Sequence, residues 1–160
     1  EVPVGFKHIS SKMIEKNALI GGESSGGLTV RGHIQGKDGV YAGSLLVEMI
    51  SVIGKPLNDI LKDIHDKYGD FYMEEFDCRM TVEHKQKLHN LLFNEKQVPE
   101  FPWKIEKTSY LDGCKVYFKN GGWIICRFSG TEPVLRIFSE MSCYEDSVKA
   151  IDIFRKFLSL

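Results

Sequence analysis

Cys126-Arg127-Phe128-Ser129-Gly130-Thr131-Glu132-Pro133 stands between two apolar runs of β character, residues 123–126 and 134–138. Its residue types suit a phosphate-binding loop held between strands. Arg127 offers a planar fork of N–H donors that matches phosphate oxygens in pairs, and Ser129 and Thr131 add hydroxyls. Gly130 frees the backbone to turn its amides toward an anion, and Arg136 follows on the next strand. The same residues also fit a plain turn capped by Ser and Thr, with Arg127 and Glu132 as a surface pair.

Outward from this loop the pattern is antiparallel. Residues 134–140 alternate, with Leu135 and Ile137 on one side and Arg136 and Phe138 on the other. Ser142-Cys143-Tyr144-Glu145 has capping-box spacing, and Val148, Ile151, Phe154 and Leu158 line the helix it opens. Upstream, strands at 105–111, 115–119 and 123–128 are punctuated by Asp112-Gly113 and Asn120-Gly121, both strong hairpin signals. Before them come an alternating strand at 72–80 and a helix at 81–93 with Leu88, Leu91 and Leu92 inward. The sum is an α+β module over 71–160, an antiparallel sheet with helices on one face.

Residues 1–70 read as α/β. Phe6, Ile9 and Met13 have helical spacing over 5–16, and Ala18-Leu19-Ile20 reads as a short buried parallel strand. The loop Gly21-Gly22-Glu23-Ser24-Ser25-Gly26-Gly27 follows. Its glycines let the backbone approach a ligand, while Glu23 and Ser25 offer an acceptor and a hydroxyl to a polyhydroxylated partner. A flexible surface turn is the plainer alternative. After Gly36-Lys37-Asp38-Gly39, Leu45, Leu46, Met49, Ile50 and Ile53 form a helical face stopped by Gly54. A second helix carries Leu57, Ile60, Leu61 and Ile64, and both stripes read as core.

The 160 residues are 42% hydrophobic and 27% charged, ordinary globular composition, and the net charge of −1 leaves no basic footprint for nucleic acid or a membrane surface. No apolar run is long enough for a span. Four cysteines without C-x-x-C spacing predict a reducing compartment rather than a disulfide scaffold, and the five histidines form no metal-ligand pattern. The chain opens at Glu1-Val2-Pro3 with no initiator Met, which suggests a fragment.

Arg127-Phe128-Ser129-Gly130-Thr131-Glu132-Pro133 with Arg136 beyond it resembles the phosphate-binding signature of the C-terminal domain of the α-D-phosphohexomutases, the phosphoglucomutase, phosphomannomutase and phosphoglucosamine mutase family. Upstream and in the right order, Gly22-Glu23-Ser24-Ser25-Gly26 is similar to that family's sugar-binding loop. Gly5-Phe6-Lys7 and Lys37-Asp38-Gly39 resemble two further segments. The chain departs at Ser24, where many relatives have a second Glu, and at Gly27, where some have His.

The resemblance implies the end of a third α/β domain (1–70) and a TATA-box-binding-protein-like fourth domain (71–160). It also implies a site in which Arg127, Ser129, Gly130, Thr131 and Arg136 hold phosphate, Glu23 and Ser25 hold sugar hydroxyls, and Lys7 lies near the reacting phosphate. Lys37 is a further phosphate candidate. The expected function is that of a cytoplasmic isomerase interconverting hexose 1-phosphate and 6-phosphate through a phosphoserine and a glucose 1,6-bisphosphate-type intermediate, with Mg2+. The family's serine and metal loops are not found in these residues, so the expected partners are the missing N-terminal domains, and the chain alone is expected to be inactive. The alternatives are a non-catalytic phosphosugar-binding module and an interaction domain with a coincidental loop.

Overall fold

The computed structural model describes residues 1–130 and 132–160. The chain forms two compact units, Glu1–Lys67 and Tyr68–Leu160.

In the first unit, α1 (Phe6–Lys16) ends in a left-handed Asn17 and leads to β1 (Ile20–Gly22), which pairs antiparallel with β2 (Leu28–Val30). The segment at 18–20 is therefore not a buried parallel strand. The glycine loop folds straight back on itself, so β1 meets its own continuation, and Leu19 and Ile20 stay 63% and 60% exposed. Asp38 caps α2 (Gly39–Ile53) by accepting from the Tyr41 amide at 3.0 Å, and Gly54 stops it; α3 (Leu57–Tyr68) follows. The tyrosine amide and the nearby His33 hold the Asp38 carboxyl below its ordinary value. The apolar stripes of α2 and α3 are not core here. Only Ile60 is buried, while Leu46, Leu57, Leu61 and Ile64 are about half exposed. A two-stranded ribbon is too narrow to cover two amphipathic helices. No single helix among the described residues is long and apolar enough to cross a membrane, and α2 and α3 reach that threshold only together across an 83° bend.

The second unit is a five-stranded antiparallel sheet in the order β3 (Tyr72–Arg79), β7 (Val134–Met141), β6 (Trp123–Phe128), β5 (Cys114–Phe118), β4 (Ile105–Ser109). Register places Val116, Ile124 and Ser139 on one row and Cys114, Cys126, Ile137 and Phe76 on the next, all toward one face. Both helical segments pack on that face. Leu88 and Leu92 come from α4 (Val82–His89) and the π-helical turn Asn90–Asn94, and Ala150, Ile151, Phe154 and Leu158 from α5 (Tyr144–Phe157). The expected helix over 81–93 thus widens at Asn90 into a π turn, and Leu92 still points inward. The expected capping box does not form. α5 starts one residue later, at an N-cap Cys143 with no side-chain hydrogen bond, which puts Glu145 out of reach of its role. The inward face of α5 uses Ser147 in place of Val148: Ser139 Oγ donates to the Ser147 carbonyl at 2.8 Å, and Ser147 Oγ donates to the carbonyl of Tyr72. These bonds satisfy two buried hydroxyls and tie β3 to α5.

Candidate functional site

The β6–β7 connection is short because its two strands are neighbours. Ser129 N donates to the Val134 carbonyl at 2.8 Å, and Met80 N donates to the Pro133 carbonyl at 3.0 Å, so the loop is fastened to both β7 and the end of β3. Ser129 is buried, and its Oγ accepts from the Glu132 amide at 3.3 Å. Gly130 is exposed and does not use the left-handed backbone freedom its identity suggests. A Cβ there would meet nothing within 4 Å, so glycine leaves open space above the loop. Thr131 lies outside the described residues.

Arg127 and Arg136 are cross-strand partners on the face opposite the helices, and Asp77 of β3 is next in the same row. Arg127 Nη1 stands 3.6 Å from Asp112 Oδ2. Arg136 Nε stands 3.8 Å from Asp77 Oδ2, and its Nη2 3.7 Å from Glu132 Oε2. All three distances are longer than a charge-assisted hydrogen bond. Arg136 Nε is buried and has no hydrogen-bond acceptor among the described residues. Guanidinium groups at such distances are charge-compensated but not saturated, and they retain donors for a tetrahedral anion.

The turn before β5 sets Arg127 in place. Gly113 has φ 105°, and a Cβ on it would come within 2.8 Å of the Cys126 carbonyl and 3.0 Å of Arg127 Cβ. Asp112 and Gly113 read in sequence only as a hairpin turn. The signal that could have placed them at the site was register, since pairing residue 114 with residue 126 sets the turn beside residue 127.

In the first unit, the loop after β1 is closed by Glu23 N donating to the Gly27 carbonyl at 2.8 Å. Lys37 Nζ bonds Glu23 Oε2 at 3.0 Å, and Ser25 Oγ lies 3.5 Å from the same oxygen, so these three candidates come together. The lysine stem crosses Gly27, where a Cβ would come within 2.4 Å of Lys37 Cδ. Its ammonium also lies 5.9 Å from the centroid of the Phe6 ring. Lys7 is exposed on α1, and its side chain makes no ion pair or hydrogen bond among the described residues. His33 stacks on Tyr41 at 3.9 Å and bonds Asp38 at 3.0 Å, a cluster the sequence reading left unassigned. No three His, Cys, Asp or Glu side chains gather as a metal-binding group among the described residues.

Residues 1–68 match the family Phosphoglucomutase/phosphomannomutase, alpha/beta/alpha domain III, and residues 80–152 match Phosphoglucomutase/phosphomannomutase, C-terminal domain. A phosphoglucomutase/phosphomannomutase of Thermococcus kodakarensis is 30% identical over 97% of this chain and 32% of its own length. A phosphoglucosamine mutase of Heliobacterium modesticaldum is 29% identical over 98% of this chain and 31% of its own. The crystal structure of a protein from Thermus thermophilus shares the fold, with a TM-score of 0.73 at 24% identity over 99% of this chain and 30% of that one. The chain thus spans about a third of the length of the relatives it matches. With two consecutive domains of one family matched in order along most of its length, the chain belongs to the phosphoglucomutase/phosphomannomutase family, the phosphohexomutases, through that family's third and C-terminal domains.

Proposed function

We propose that this chain is the phosphosugar-binding part of a mutase that moves phosphate between the 1 and 6 positions of a hexose. The observation that carries the reading is the pair Arg127 and Arg136 on one row of the sheet beside the Ser129–Gly130 turn, with Arg136 Nε lacking an acceptor among the described residues. Loosely compensated guanidiniums beside an uncovered glycine suit a dianionic phosphate.

In this reading the loop grips the phosphate not undergoing transfer, and Glu23 accepts from sugar hydroxyls with Ser25 beside it. Lys37 holds the Glu23 carboxylate in place. A site made of charge and backbone amides fixes the phosphate without demanding one face of the sugar, which suits a bisphosphorylated intermediate that must bind in two orientations. The serine that carries phosphate, and the magnesium that assists its transfer, would belong to preceding domains of the same enzyme.

The test is a titration of the isotope-labelled chain with glucose 1,6-bisphosphate and with inorganic phosphate, followed by backbone amide shifts. The amides of Ser129 and Gly130 should respond to both ligands, and those of Glu23 to Gly26 to the sugar alone. Unchanged amides at millimolar concentrations of both ligands refute binding by this chain.

A further inference from the structure

Between α4 and the β6–β7 loop lies a cleft of about 640 Å3, lined by Lys85, Gln86, His89 and Asn90 on one side and Gly130 and Glu132 on the other. Arg127 and Arg136 rise from the face of the sheet away from the helices, whereas α4 packs on the helical face. The loop is therefore flanked by cations from both sides, and only one side figures in the sequence motif.

The cleft lining carries one lysine and one carboxylate, Lys85 and Glu132, and they do not pair among the described residues. Glu132 is engaged by Arg136 at 3.7 Å, so its carboxylate is partly neutralised from outside the cleft. Lys85 is half-buried, its ammonium rests 5.6 Å from the centroid of the Phe128 ring, and it has no carboxylate within ion-pair distance among the described residues. An ammonium held by an aromatic face with no counter-ion favours an anion beside it. Gln86 follows on the same helix, and its amide makes no hydrogen bond among the described residues. Asn90 is locked in place, accepting from Asn94 Nδ2 at 2.8 Å and donating to Glu95. The cleft wall thus ends in the π turn, a distortion of the helix that is found disproportionately at functional sites.

We propose that this cleft is a subsite for the ligand held by the loop: Lys85 takes a phosphate oxygen above Gly130, and Gln86 reads a hydroxyl of the attached hexose. The proposal rests on the reading of the loop as a phosphosugar site and adds α4 to it. A hexose monophosphate fits the lining, with one uncompensated cation for the phosphate, a free amide for a hydroxyl, and Val82 and Pro133 as apolar wall for the ring.

The test measures the affinities of the chain for inorganic phosphate and for glucose 6-phosphate by amide shifts in Lys85→Met, Lys85→Arg, Gln86→Ala and, as a control, Lys87→Met. Lys87 carries the same charge on α4 but pairs with Glu83 at 3.1 Å. Lys85→Met should weaken both ligands about fivefold, with most of the loss restored in Lys85→Arg. Gln86→Ala should weaken glucose 6-phosphate about threefold and leave inorganic phosphate unchanged. Wild-type affinities in Lys85→Met, or an equal loss in Lys87→Met, overturn the proposal. If Arg127→Ala weakens phosphate while Lys85→Met does not, the cleft is discarded and the loop reading survives. If neither ligand shifts any amide of the unaltered chain, both are discarded.

Discussion

Arg127 and Arg136 stand directly opposite each other on β6 and β7, so that two guanidinium-bearing residues share one rung of the sheet. Like charges at such positions repel, and the three carboxylates nearby approach no closer than 3.6 Å. A bound dianion would relieve this arrangement.

Phosphate should therefore stabilise the second unit. At a concentration about ten times its Kd, linkage adds about 1.4 kcal/mol, or several degrees in the melting temperature of a unit this size. Arg127→Ala should melt within about a degree of the unaltered chain in phosphate-free buffer and lose the phosphate-dependent rise. Differential scanning fluorimetry with and without phosphate reads both effects. On the mutase reading proposed above, the same substitution in the full-length protein is expected to abolish turnover.

Gly113→Ala tests how the arginine is held. The alanine meets both a left-handed backbone and a 2.8 Å contact with the Cys126 carbonyl, so a loss of about 2 kcal/mol in urea unfolding is expected, with displaced amide shifts at Arg127. An unchanged unfolding midpoint would show that the turn does not brace β6.

Gly27→Ala should behave differently. Its Cβ would press on the flexible stem of Lys37 and stand 3.3 Å from Glu23 Oε2, so Lys37 can swing aside at little cost to stability but then leaves Glu23. Exposed ion pairs are worth about 0.2–1 kcal/mol, so sugar phosphate affinity should fall about two- to fivefold with inorganic phosphate affinity unchanged. Equal losses for both ligands would place Lys37 on the phosphate instead.

The thiols should fall into two classes. Cys114 and Cys126 are fully buried cross-strand partners; burial pushes the Cys114 thiol up to about 11 and raises Cys126 as well. The thiolate is the reactive form, so both should resist iodoacetamide at pH 8 in the folded chain and react once it is unfolded. Cys78 and Cys143 are partly exposed and should be modified first, as peptide mass spectrometry would show. Modification of Cys114 without unfolding would contradict the packing.

The second unit was legible because its signals are local and agree. Alternation on β3 and β7, Asp-Gly and Asn-Gly turns, and a leucine stripe on α4 all specify one antiparallel sheet with a single covered face. The first unit was less so. Ala18-Leu19-Ile20 has the composition of a buried strand, and α2 and α3 have the periodicity of core helices, yet burial depends on what lies across from them, and composition does not report that. At the site, the loop residues were visible as a motif. Their neighbours were not: Asp77 and Asp112 reach the arginines only through register, and Lys85 lines the same cleft as Gly130 only through the packing of α4.

The fastening of the loop has a kinetic consequence. Its last residue is bonded to Met80 at the end of β3, and β3 pairs with β7 across about sixty residues of intervening chain, a closure whose entropic cost is met late in folding. Hairpins β4–β5 and β5–β6 can form from neighbouring sequence alone, but the loop acquires its final anchor only when the first strand of the unit finds the last. Competence to hold phosphate should thus appear together with completion of the sheet rather than with its early hairpins.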